Sequence, residues 1–277
     1  MGRAVTGRSS GPVIEVGDLR VLTLEDGHGR EVARDVLTRE GHADGWSCHG
    51  DLLDEQGDLH LAVGGYLLQS GDRTIVVDTG AGTIDNGRYK GGLLLESLRV
   101  HGVEVEDVTD VLLTHLHFDH VGWVSKKGSP VFPRATYRVH EADWNHFVDA
   151  PDAQPGALRK LEPIREQLET FDASRTIAPG LDARPMPGHT PGSTSFVVSD
   201  GKDRLVLVGD LAHSPVELVE TGWRFRHDHD QELAARSRTE LVEEFTDTGA
   251  VIAAAHFPDF RPGRLVAGPT GPRWSSI

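Results

Sequence analysis

From about Leu61 onward, the order of apolar and polar positions becomes β-like. Residues 61–69 carry mostly apolar side chains, Ser70-Gly71-Asp72 supplies turn residues, and 74–77 is nearly all apolar. This predicts a hairpin with a largely buried second strand, ending in the turn signal Asp78-Thr79-Gly80. Residues 93–101 have helical spacing and stop near Gly102. The run 110–113 reads as a short buried strand, 135–139 as another, and 141–148 as a helix after it. Two prolines make 150–156 a loop, and the good helix formers of 158–171 predict a further helix.

The second half repeats this order. A hairpin is predicted from 196–199, the turn Asp200-Gly201-Lys202 and 205–208, which leads into Gly209-Asp210. A helix over 231–246 and a strand over 251–255 follow, the latter ending at His256. Each half therefore runs through strands to polar residues at a strand end, then into helix. Residues 1–12 are polar and read as a flexible N-terminus. No internal linker interrupts the rest, which predicts one α/β domain over 13–277.

Composition narrows the chemistry. With 43 acidic against 28 basic residues, the net charge of −15 repels phosphate backbones and argues against a nucleic-acid partner. No apolar run approaches a membrane span, and the first residues lack the apolar core of a secretory signal, so a cytoplasmic location is the default. The single cysteine, Cys48, excludes an internal disulfide and a thiolate-rich metal cluster. The chain also has fifteen histidines, and their placement is the main signal.

Thr114-His115-Leu116-His117-Phe118-Asp119-His120 packs four ligand-type side chains into six positions directly after a buried strand. Extended backbone projects alternate residues to one face, so His115 and His117 can reach one ion. Asp119 and His120 follow as the chain turns and can face a second. His189 lies in the tight Pro187-Gly188-His189-Thr190-Pro191-Gly192 loop, while Asp210 and His256 each end an apolar run. Taken singly, an aspartate after a strand is ordinarily a helix cap. Taken together, the seven supply enough oxygen and nitrogen donors for two ions with room for water.

This set resembles the metallo-β-lactamase superfamily, in the order and approximate spacing of its motifs, over roughly residues 60 to 260. The resemblance implies an αββα sandwich, two sheets face to face with helices outside and metals at one edge. It also implies that His115, His117 and His189 hold one ion, that Asp119, His120 and His256 hold the other, and that Asp210 bridges them. Asp78 matches a position that supports the site from behind a ligand. The implied cofactors are two divalent ions, zinc being favoured by the imidazole-rich donors, with manganese, iron or cobalt as alternatives. Such a pair activates water as a shared hydroxide, and Asp119 is placed to carry the proton.

Within the superfamily, an intact aspartate at 210 differs from true β-lactamases, and 209–215 does not match glyoxalase II relatives. Thr114–Trp123, Glu141-Ala142-Asp143-Trp144 and Trp223-Arg224-Phe225 look most like the N-acyl homoserine lactonases and the methyl parathion hydrolase-like enzymes. Many lactonases have a tyrosine three residues after the bridging aspartate, donating to the substrate carbonyl. Here that position is His213, a second candidate catalytic residue. The expected activity is therefore lactonase or esterase, with phosphotriesterase and β-lactamase as alternatives and a non-enzymatic binding protein disfavoured by the complete ligand set. The expected partner is a small ester, lactone or phosphotriester, with no membrane and with a homodimer left open. Trp46, Trp123, Trp144, Trp223 and Phe225 are candidates for an apolar substrate cleft, with core packing expected for at least two of them.

Overall fold

The structure is a computed structural model that describes residues 13–277 except Asp18 and Ala43. The N-terminal segment expected to be flexible thus lies outside the described residues. Two large sheets dominate. The first contains β1 (Val13–Val16), β2 (Leu19–Val32), β3 (Asp58–Ser70), β4 (Arg73–Val77), β5 (Asp110–Leu112), β6 (Thr136–His140) and β7 (Leu168–Phe171), hydrogen-bonded side by side in that order. The second contains β8 (Arg175–Ala178), β9 (Leu181–Pro185), β10 (Thr194–Asp200), β11 (Asp203–Leu207), β12 (Val251–Ala253), β13 (Gly263–Gly268) and β14 (Gly271–Ser276), again in chain order.

Strand alternation assigns each side chain to a layer. In β4, Ile75 and Val77 enter the core between the sheets, while Val76 faces the opposite side. In β11, Leu205 and Leu207 face that same inner core and Val206 faces out; Val251, Ile252 and Ala253 of β12 repeat the pattern. Helix α1 (Leu94–Val100), α2 (Glu141–Trp144) and α3 (Pro155–Leu161) bury Leu94, Leu98, Trp144 and Leu161 on the outer face of the first sheet. Helices α4 (Val216–Val219) and α5 (Gln231–Phe245) bury Leu218, Leu241 and Phe245 on the outer face of the second. The result is the expected αββα sandwich.

Both predicted hairpins form, each closed by a two-residue turn, with Ser70 paired to Arg73 and Asp200 to Asp203. Two expected helices differ. The helix predicted over 158–171 ends at Leu161, gives way to a 3-10 segment Glu162–Gln167, and finishes as strand β7. Pro163 has no N–H to continue the helix, and the free edge of β6 then pairs in parallel with Leu168–Phe171. The helix expected over 141–148 likewise changes character, from α2 to a π-helical turn at Asn145–Asp149.

Among the described residues, four neighbouring strand pairs in the two large sheets are parallel: β4–β5, β5–β6, β6–β7 and β11–β12. Loops leaving the carboxyl ends of parallel strands are where α/β sheets place ligand sites. Here those ends deliver Asp78, the 115–120 motif, Asp210 and His256.

The register of this region depends on Asp110 at the start of β5. Its carboxylate is buried and receives Arg73 Nε at 2.9 Å, with further hydrogen bonds from Thr109 and Arg138. Burial pushes this carboxyl up, but the two arginines and Thr109 outweigh it and hold it below the ordinary carboxylate range. A folded value below the unfolded one gives stability that is present above the ordinary range and lost as pH falls through the folded value. Asp110→Asn is therefore expected to cost about 3 kcal/mol at pH 7, the lower end for a broken buried pair because both guanidiniums keep some solvent. The cost should shrink towards pH 3. Urea melts of the metal-free protein at the two pH values test this, and a pH-independent loss would reject it.

Candidate metal centre

The seven predicted ligands converge. His115, His117, His189 and Asp210 form one group, and Asp119, His120 and His256 a second, with the donor atoms of each group within 4.8 Å of one another. All are buried except His117, which is partly buried. Asp210 faces both groups: Oδ2 lies 3.7 Å from His115 Nε2 and 3.4 Å from His189 Nε2, while Oδ1 lies 3.1 Å from His120 Nε2. Its Oδ2 is also 3.2 Å from His256 Nε2, and Asp119 Oδ2 lies 3.5 Å from the same nitrogen.

The hydrogen bonds behind the rings fix which nitrogen is bare. His120 Nδ1 donates to Asp78 Oδ2 at 2.9 Å, His189 Nδ1 donates to Asp228 Oδ1 at 2.9 Å, and His256 Nδ1 donates to the Ala62 carbonyl at 2.8 Å. Thr114 Oγ1 gives its proton to Asp78, so it accepts from His115 Nδ1 at 3.1 Å. In each neutral imidazole the remaining Nε2 carries a lone pair. His189 Nε2 and His115 Nε2 lie 2.9 and 3.1 Å from His117 Nδ1, which has at most one proton to offer the two, and His120 Nε2 faces the Asp210 carboxylate, which with Asp78 pushes that imidazole well above its usual range despite burial. His120 Nε2 and Asp210 Oδ1 are both buried with no hydrogen-bond partner.

Bare imidazole nitrogens converging with a shared carboxylate suit a cation. Four tetrahedral ligands about 2.1 Å from an ion stand about 3.4 Å apart, and the separations here, 2.9 to 3.7 Å, bracket that value. Burial pushes His117 and His189 down to about 3, and His115 well below the usual imidazole range, so these rings are neutral donors. The residues fit a pair of divalent ions.

The elements position these groups through a few specific contacts. Asp78 follows β4 in a left-handed conformation, φ 59°, costing about 1 kcal/mol. That conformation lets its carboxylate accept from Thr114 N, Thr114 Oγ1 and His120 Nδ1 together, the support expected from the sequence. Gly209 also adopts positive φ, and a Cβ there would stand 2.7 Å from Thr114 Cβ, so glycine lets β11 deliver Asp210 beside the motif. Tyr66 Oη of the first sheet donates to the Ala254 carbonyl of the second at 3.0 Å, holding the chain just ahead of His256.

His213 joins the cluster from behind. Its ring stacks on Phe225 at 3.5 Å between centroids, with Nε2 3.3 Å from Asp210 Oδ2 and Nδ1 3.7 Å from Glu217 Oε2. Burial lowers its affinity for a proton, but Asp210 and Glu217 more than reverse this and push it up to about 10. Of the aromatic cleft candidates, Trp46, Trp123, Trp144, Trp223 and Phe225 are all buried. Trp123 Nε1 donates to Asp26 and Trp46 Nε1 to the Leu37 carbonyl, as core residues do. The exposed aromatic of the motif is Phe118, set edge-on to Tyr89.

Three supporting groups were not foreseen. Asp228 orients His189, and the buried Arg238 lies 3.4 Å from Glu217 and 3.6 Å from Asp228, the carboxylates behind His213 and His189. Asp26, at a bulge in β2, accepts from the backbones of Ala81, Gly82, Gly92 and Leu94 and from Trp123, framing the loop after Asp78. The His227-Asp228-His229-Asp230 string was the available signal for Asp228.

Residues 64–256 match the family described as the metallo-beta-lactamase superfamily. The chain belongs to that superfamily. It is 27% identical to an N-acyl homoserine lactonase of a Bacillus species over 224 residues, covering 75% of this chain and 83% of the relative. It is 31% identical to metallo-beta-lactamase domain-containing protein 1 of Xenopus laevis, covering 76% and 78%. Among solved structures, AidC, a dizinc quorum-quenching lactonase crystallised with a homoserine product, superposes with a TM-score of 0.85 at 28% identity over 96% of each chain. With this membership and these ligand clusters, the protein is a metal-dependent hydrolase. Among the described residues no helix is long and apolar enough to cross a membrane.

Proposed function

We propose that residues 13–277 form one hydrolase domain with a two-zinc centre that opens lactone or ester bonds of a small-molecule substrate. The observation that carries this reading is Asp210, whose two oxygens face both ligand groups while the imidazoles around it present bare nitrogens. His115, His117 and His189 would hold one ion and Asp119, His120 and His256 the other, with Asp210 placed between the two groups. When bound, the ions lower the pKa of water towards about 7 and polarise the carbonyl under attack. Asp119 lies at the rim of the second group and moves the proton from attacking water to leaving oxygen. His213 donates a hydrogen bond to the substrate carbonyl from beside Asp210. The similarity to lactonases at 27 and 28% identity favours lactones among the superfamily's substrates.

Zinc-loaded protein is expected to open acyl homoserine lactones faster than it cleaves aryl esters, phosphotriesters or β-lactams. It should contain two metals per chain, and chelation should abolish turnover until zinc is restored. Active protein without stoichiometric metal would sink the two-metal reading. A panel led by phosphotriesters would sink the lactone assignment alone.

A further inference from the structure

The buried carboxylate of Asp143 is not a ligand, yet it touches the segments bearing all three histidines of the first group. Asp143 lies on α2 and is fully buried. Its Oδ2 accepts from Thr190 Oγ1 at 2.9 Å and its Oδ1 from Gly192 N at 2.6 Å, both just after His189 in the loop that presents it. The Leu116 backbone, between His115 and His117, also faces this carboxylate and favours its charged form. The loop is shaped for this approach. A Cβ on Gly192 would stand 2.7 Å from Asp143 N and 3.0 Å from Asp143 Oδ1, so no larger residue lets the backbone come so near. Ser193 Oγ closes the loop on Thr190 N at 2.9 Å, leaving the Thr190 hydroxyl to reach Asp143.

The two histidine-bearing segments are 72 positions apart in sequence, between His117 and His189. They come from different sheets, the first following β5 and the second preceding β10. The separation of their ring nitrogens must stay within a few tenths of an ångström of that required by one ion. A carboxylate hydrogen-bonded to the His189 loop and set against the Leu116 backbone sets that separation more directly than packing does. Burial without a compensating cation pushes Asp143 up to about 7, against the pull of Thr190, Gly192 and Leu116. A fold seeking stability alone would place an apolar residue there.

We infer that Asp143 is a positioning residue that fixes the spacing of the His115–His117 segment and the His189 loop, and so the grip of the first metal site. This rests on the two-metal reading above. Groups that orient ligands from behind typically contribute 10- to 100-fold in metal affinity. Zinc release into a chromogenic chelator, followed in the fully loaded protein, reads both sites. Asp143→Ala should accelerate one of the two release phases about 10- to 100-fold and leave the other unchanged. Asp143→Asn, which keeps an acceptor for Gly192, should fall between that variant and the parent. Thr190→Val, which removes one donor and is available if Asp143→Ala fails to fold, should accelerate the same phase more weakly.

Leu265→Ala empties a site in the outer core of the second sheet, away from the metals, and serves as the control with comparable loss of melting temperature. If it speeds release as much as Asp143→Ala does, or if Asp143 variants release both ions at the parent rate, the positioning role is wrong. If the parent protein holds fewer than two zinc ions, the two-metal reading itself fails.

Discussion

Asp210→Ala is expected to leave the protein folded, to reduce its metal content to one ion or fewer, and to cut turnover by about 10³-fold or more. The magnitude follows from position. Removing a group that merely orients a ligand costs about 10- to 100-fold, and Asp210 supplies a donor oxygen to each ligand group. Burial pushes its carboxyl up, but the His120, His256 and His115 rings that surround it hold it well below the ordinary range. Without it, two ions would sit close together with no shared anion to offset their repulsion. Asp210→Asn keeps the shape but loses the charge, so it should retain part of the first site and little of the second. Elemental analysis with circular dichroism separates metal loss from unfolding. A folded Asp210→Ala protein holding two metals with parent turnover would show that the carboxylate is not shared.

What could be read beforehand followed physical contrast along the chain. His115, Asp210 and His256 each interrupt a short apolar strand, so ligand-type residues stood out where burial was expected. Hairpins were legible because two-residue turns leave a compositional mark, as at Gly71-Asp72 and Gly201-Lys202. Strands β1 and β2 gave no such mark. β2 carries exposed charges on one face and a bulge at Asp26 that breaks its alternation, although Asp26 itself is completely buried. β7 was hidden because its residues are acceptable helix formers, and only the free edge of β6 makes them a strand.

Apart from Asp78, the supporting groups were beyond local reading for another reason. Asp228 reaches His189 across 39 positions, and Arg238 sits in a helix whose other charges face solvent. Asp143 entered only within the Glu141-Ala142-Asp143-Trp144 resemblance, with no role of its own. Ligands announce themselves by clustering, whereas the groups that orient them are scattered through the chain.

His213→Ala is expected to retain both metals and lose about 10²- to 10³-fold in kcat, the usual cost of removing one donor to a developing oxyanion. The geometry sharpens the alternative. His213 is buried, stacked on Phe225, and its Nε2 lies 3.3 Å from Asp210 Oδ2. A ring that only held Asp210 in place would, when removed, loosen metal binding in parallel with turnover. A ring that donates to substrate would lower kcat while metal affinity held. His213→Tyr should keep a donor and so retain activity, with a shift towards lactones. His213→Phe keeps the stacking on Phe225 without a polar atom, and should be as slow as His213→Ala while melting near the parent temperature. If His213→Phe instead turns over like the parent, the histidine packs rather than catalyses, and the carbonyl donor lies elsewhere in the site.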